Sequence, residues 1–149
     1  MLRQKLQDDM RTALKEREAG KARLSVLRIA LAALKNREID LRRELEDPEV
    51  VDVLAREVRS RQDVLPDYER GGRMDLVEQM RGEIAVLQEY LPQQATPEEV
   101  REAVQAQIAA CGAQGPRDLG KVMGPVMQQL RGRADGRLVQ ETARRLLGG

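Results

Sequence analysis

From Leu2 to Leu146 the apolar residues recur every three or four positions, and hardly anywhere do they alternate. Leu2, Leu6, Met10, Ala13 and Leu14 open the pattern as a narrow stripe. A period near 3.6 puts such residues on one face of a helix, whereas a strand would need a period of two. With little β-branched enrichment to compete, the chain is expected to be all-α, with about seven helices.

Punctuation divides these stripes. Gly20 is expected to end the first helix. The second is expected from Lys21 to Leu45 and carries Leu24, Leu27, Leu31, Leu34, Ile39, Leu41 and Leu45. Its segment SVLRIALAAL is apolar nearly all round, so it is expected to be the most buried. Arg28 inside it is expected to snorkel or to pair with an acid of a neighbouring helix. Asp47-Pro48 reads as a capping side chain followed by proline at the first helical position. The third helix shows Val51, Leu54, Val58, Leu65 and Tyr68 on one face; Pro66 is expected to kink or end it, and Gly71-Gly72 to close it. A fourth carries Leu76, Met80, Ile84, Leu87 and Leu91 before Pro92 breaks the chain.

Thr96-Pro97-Glu98-Glu99 is a capping box with proline behind it, the clearest boundary in the chain. The fifth helix uses Val100, Val104 and Ile108 and stops at Cys111-Gly112. Beyond it lie six of the twelve glycines, between residues 112 and 136. Two short helices are expected there, about 118–131 and 136–147. The expected organisation is an elongated N-terminal helical domain, 1–92, and a compact C-terminal three-helix domain, 93–149, hinged near Pro92–Ala95. The core expected for the latter is Val100, Val104, Ile108, Leu119, Val122, Met123, Leu130, Leu138, Val139 and Leu146.

Composition narrows the chemistry. The 149 residues include no His, so neither a Ser-His or Cys-His nucleophile pair nor a His-ligated metal can be built. Cys111 is the single cysteine, unable to form an internal disulfide or a thiolate cluster, and fits a reducing cytoplasm. At the C-terminal end of a helix it lies at the wrong pole to be activated and reads as a packing residue. Tyr68 and Tyr90 are the only aromatics, which argues against stacking bases on an aromatic platform. No run reaches the length of a membrane span, and the N-terminus lacks the apolar core of a secretory signal. Neither a metal nor a cofactor is expected, nor a catalytic activity of the chain's own.

Charge is nearly balanced over the whole chain, at +1, but uneven along it. Residues 1–92 carry 18 basic against 19 acidic residues; residues 115–149 carry seven against three. Glu98 and Glu99, in the first turn of a helix, serve its dipole better than acid–base work. Within the tail, Gly120 and Gly124 share one helix face. They are expected to pack tightly against the last helix, or else to let a phosphate backbone or a foreign helix come close. Arg131-Gly132-Arg133-Ala134-Asp135-Gly136 reads as a tight turn in which Asp135 caps the last helix. Lys121, Arg131, Arg133 and Arg137 could gather as a phosphate-binding patch at that helix N-terminus.

The tail DLGKVMGPVMQQLRGRADGRLVQETARRLL, with LSVLRIALAALKNREID and REVRSRQDVLPDYERGGRMDLVEQMRGEIAVLQEYLPQQ before it, resembles the GatB/YqeY family over essentially the whole chain. The specific elements are Gly120 to Gly124, G-K-V-M-G, and Gly132 to Gly136, G-R-A-D-G. The resemblance implies an all-helical protein whose tail is similar to the C-terminal segment of GatB, a subunit of tRNA-dependent amidotransferases. There the equivalent small domain contacts the tRNA body, while the portion that holds the chemistry has no counterpart here. The expected function is therefore a non-catalytic, tRNA-associated accessory protein of the cytoplasm. The alternatives are a protein–protein adaptor using the N-terminal helices, and an accessory subunit of a glutamine-dependent tRNA amidotransferase. Expected partners are accordingly tRNA, or an amidotransferase or other translation-related protein.

Overall fold

A computed structural model describes residues 1–148. The described residues form seven α-helices: α1 Leu2–Lys15, α2 Lys21–Leu41, α3 Asp47–Arg70, α4 Met74–Gln88, α5 Pro97–Cys111, α6 Leu119–Gln129 and α7 Gly136–Leu146. Short 3-10 turns, Arg17–Gly20 and Pro116–Asp118, precede α2 and α6, and no strand occurs among the described residues. The protein is all-α. It divides into two compact units, Met1–Leu91 and Pro92–Gly149, each with its own apolar core.

In the first unit α1 packs on α2, and α4 packs on both α2 and α3. Leu6, Leu27, Leu34, Val50, Leu54 and Leu87 are fully buried between them. Each such side chain contributes about 1.5–3 kcal/mol relative to an exposed one. The start of this unit differs from the pattern read in the sequence. The α-helix stops at Lys15, and Gly20 closes a 3-10 turn instead. A Cβ on Gly20 would lie 2.2 Å from the carbonyl oxygen of Ala13, so the return from α1 into α2 admits only glycine. α2 ends at Leu41, four residues before Leu45, where Arg42 takes a left-handed conformation at φ 59°. Nor is α2 sealed off on all sides: Ile29 is 45% and Ile39 64% exposed, and Arg28 is exposed too. Arg28 makes no ion pair or hydrogen bond among the described residues, so the expected pairing with an acid does not occur.

Two other boundaries shift for local reasons. The residue that precedes α3 is Glu46, whose N–H donates to Glu49 Oε1 at 3.1 Å. Asp47 is the first helical residue, and its carboxylate accepts the Leu2 N–H at 3.1 Å, tying α1 to α3. Pro66 does not end α3, which continues to Arg70. The carbonyl that Pro66 leaves without a helical donor belongs to Gln62, an exposed residue, so water can serve it.

Buried charge fixes how these helices meet. Arg61, 8% exposed, donates from Nε to Glu83 Oε1 of α4 at 3.0 Å, and from Nη1 to the carbonyl and carboxylate of Glu57. Tyr90, 5% exposed, donates its hydroxyl to Asp9 Oδ2 of α1 at 2.5 Å. Arg23 reaches the same hydroxyl while pairing with Glu89 at 2.6 Å. Burial and the neighbouring Asp9 push the Tyr90 phenol up to about 12. Arg3 pairs with Glu38, whose other contact accepts the Leu45 N–H at 3.0 Å. Burial pushes the Glu38 carboxyl up, but these hydrogen bonds outweigh it and leave it below its ordinary value.

The second unit is a three-helix arrangement in which α5, α6 and α7 each pack on the other two. Its core is made of small aliphatics: Val100, Ala103, Val104, Val122, Val126, Leu130, Val139, Ala143 and Leu147. Of the core expected from the sequence, Val100, Val104, Val122, Leu130 and Val139 are buried. Ile108, Leu119, Met123, Leu138 and Leu146 pack half-buried around them, as does Met127. Thr142 is the one buried polar residue of the unit among the described residues, and its hydroxyl donates to the Leu138 carbonyl at 2.8 Å.

Candidate nucleic-acid interface

The loop between α6 and α7 turns at Gly132, where φ is +73°, a value that favours glycine. Asp135 Oδ1 accepts the Arg137 N–H at 3.0 Å and so caps α7. The capping carboxylate stands at the pole where an external anion was expected to bind. Gly136 sits against the Met127 methyl, with a Cβ position 3.5 Å from it.

Arg133 faces inward along this loop. Its Nε donates to the Gln93 carbonyl at 2.8 Å, and its Nη2 meets Glu99 Oε2 at 2.7 Å. The Ala95 N–H donates to the Arg133 carbonyl, and Gln94 Nε2 to the Gly132 carbonyl. Gln93, Gln94 and Ala95, within the expected hinge Pro92–Ala95, are thus fastened to the loop between α6 and α7. Glu99 serves twice, because its other oxygen accepts the Thr96 N–H in the capping box. The Arg133 guanidinium, then the Thr96 backbone, holds its carboxyl below the usual range. A cleft of about 280 Å³ beside Arg133 is lined by Glu99 and Glu102, so an anion approaching there meets carboxylates.

The remaining expected cations lie at the surface. Lys121 Nζ stands 3.4 Å from Asp118, and Arg137 Nη2 stands 3.4 Å from Asp135. Asp118 is held low first by the Gln114 N–H it accepts, and by Lys121. Arg131 is exposed. Sequence reasoning passed over Arg117, Arg144 and Arg145, which are exposed and make no ion pair or hydrogen bond among the described residues. Arg144 and Arg145 occupy the last turn of α7, where they complement the helix dipole. Arg117 has no such duty.

The glycines of α6 depart from the packing expectation. A Cβ on Gly120 or Gly124 would meet nothing within 4 Å. Both are exposed. Gly124 has a local reason to lack a side chain, since it precedes Pro125 inside the helix, where a Cβ would crowd the proline ring. Pro125 also deprives the Lys121 carbonyl of its helical donor, and Gln107 Nε2 of α5 supplies one at 3.4 Å. Gly120 has no comparable reason. The outward face of α6 and the turn before it carries Arg117, Gly120, Lys121, Gly124, Pro125 and Gln128, all exposed and none acidic.

Comparison with known proteins decides what this architecture is. The Yqey-like protein family matches residues 3–147, essentially the whole chain. The chain belongs to the GatB/YqeY family. Two proteins named "Altered inheritance of mitochondria protein 41, mitochondrial" are among its relatives. The one from Kluyveromyces lactis is 32% identical over 104 residues, covering 69% of this chain and 54% of that protein. The one from Pyrenophora tritici-repentis is 26% identical over 147 residues, covering 97% and 80%. The match thus spans about half the length of the first relative. No helix among the described residues is long and apolar enough to cross a membrane.

Proposed function

We propose that this family member is a non-catalytic RNA-associated protein whose second unit rests on the sugar-phosphate backbone of a structured RNA, tRNA by the family resemblance. The observation that carries the reading is the outward face of α6 and the turn before it, where two exposed glycines stand beside Arg117 and Lys121, the only nearby acid being Asp118, which pairs with Lys121 at 3.4 Å. Bare backbone lets a phosphate chain come closer than a side-chain-covered helix would. Arg117 and Lys121 flank it with positive charge, and the tail as a whole carries seven basic against three acidic residues. Structured RNA is recognised largely by shape and backbone, so the scarcity of aromatics does not weigh against it. The reading moves the contact from the Arg131–Arg137 loop to α6, because Arg133 is engaged in holding residues 93–99.

Fluorescence anisotropy of the intact protein with deacylated tRNA, an unrelated RNA hairpin and duplex DNA tests it. Tighter binding to tRNA is expected to persist at moderate salt. Arg117→Ala with Lys121→Ala should weaken it about tenfold and lower the salt slope by roughly two. Gly120→Leu, whose Cβ would meet nothing within 4 Å, should block approach without loss of helicity. Weak binding to all three that vanishes with salt, or binding indifferent to these substitutions, would overturn the reading.

A further inference from the structure

An open groove of about 600 Å³ runs along the first unit, between α2 with its preceding 3-10 turn and α4. Its floor is apolar, formed by Val26 and Val86. Its walls are low because the residues on them are small: Ala22 and Ser25 on α2, Gly82 on α4. Gly82 stands in the middle of a helix, where glycine is unfavourable, and a Cβ there would meet nothing within 4 Å. No packing partner among the described residues accounts for it. One turn beyond Ser25 on the same side of α2 the apolar surface continues with Ile29, 45% exposed.

The rim is charged on one side of neutrality. Glu83 is committed to Arg61, with Gln79 on its second oxygen. Glu18 and Glu78 have no ion pair or hydrogen-bond partner among the described residues, and both are exposed. Lys21 is the single cation lining the groove. On α4 the lining residues run from Glu78 to Val86, about 12 Å of helix at ~1.5 Å per residue, or a little over two turns. Small residues on both walls, an apolar floor and unpaired carboxylates at the edge are what a third helix lying in a groove requires.

We propose that this groove docks an amphipathic helix of a protein partner, one whose contact row is small and apolar at i, i+4 and i+7, with Lys or Arg beside it to meet Glu18 and Glu78. The surface lies in the unit that the RNA reading leaves unused, and the proposal stands or falls without that reading.

The test pans a helical-peptide display library on the full-length protein, with counter-selection on the folded Gly82→Leu variant. The result expected is a family of peptides with that apolar spacing and a flanking cation. A synthetic member should lose at least tenfold in affinity against Gly82→Leu, and a smaller amount, growing as salt is lowered, against Glu18→Gln with Glu78→Gln. Neither change touches a packed or paired group, and far-UV circular dichroism verifies that each variant is folded. Enriched peptides that are acidic, or that bind Gly82→Leu equally well, would overturn the proposal. So would no enrichment over Gly82→Leu, or sedimentation showing that the wild-type chain self-associates through Gly82, which would make a second copy the occupant.

Discussion

The two units reach stability by different means. In the first, charge is part of the interior: Arg61 lies between α3 and α4 on Glu57 and Glu83, and Tyr90 closes on Asp9 and Arg23. In the second, the interior is valine, alanine and leucine with Thr142 as its one buried polar residue among the described residues, and the Lys121–Asp118 and Arg137–Asp135 pairs lie at the surface. Buried polar pairs fix which residues of two helices stand opposite each other, at the cost of stability if a partner is lost. Surface pairs contribute little to folding and can be exchanged for a ligand's charges. The first unit is accordingly set in register by its cations, while the second keeps several of its own available.

Four substitutions would break or sharpen that contrast, each read by amide hydrogen exchange residue by residue. Arg61→Ala leaves Glu83 and Glu57 in a low-dielectric site without their cation and should destabilise the first unit by about 3–5 kcal/mol. Protection in α5, α6 and α7 should be unchanged. Val139→Ala removes the equivalent of two buried methylenes and should cost the second unit about 2 kcal/mol, with α1 to α4 unaffected. If either change unfolds both units together, the cores are not independent and the contrast fails.

Tyr90→Phe tests the other polar knot at smaller expected cost, about 1–2 kcal/mol for the lost hydrogen bonds. It also carries a pH signature. A phenol held neutral to about pH 12 in the fold, against 10.0 as its ordinary value, contributes stability fully below pH 10. That contribution is lost as pH rises from 10 to 12. Alkaline unfolding of the wild type should therefore steepen across this window, and the Phe variant should lack that component. The smallest effect expected is Thr96→Ala, about 1 kcal/mol of the second unit's stability, from loss of the α5 cap.

What could be read in the sequence follows the range of the interactions involved. The cap at Thr96 and Glu99 spans three residues, and its whole grammar is local. The apolar stripes are also local, and they placed all seven helices. Asp47 misled because two adjacent acids compete for one cap, and the choice fell to the Leu2 N–H, 45 residues away. Arg61 and Tyr90 were not legible as interior anchors, because their partners come from helices 22 and 81 residues distant. Arg133 looked like a free cation for the same reason, since Gln93 and Glu99 lie 40 and 34 residues earlier. The glycines of α6 show the converse. The spacing of Gly120 and Gly124 says that bulk is missing, and only the fold says that nothing fills the space.

The fastening of residues 93–99 by Arg133 also orders events during synthesis. In a chain made N-terminal end first, both Tyr90 and Asp9 are already in place when Gln93 is added. From then until Arg133 follows, 40 residues later, the segment from Gln93 to Glu99 lacks its anchor. The first unit can therefore finish folding on the ribosome while the second is still being written, as domains made in sequence generally do. The spatial division at Leu91 and Pro92 is then a division in time as well, and a chain halted just short of Arg133 would hold every residue of the first unit but lack the anchor of residues 93–99.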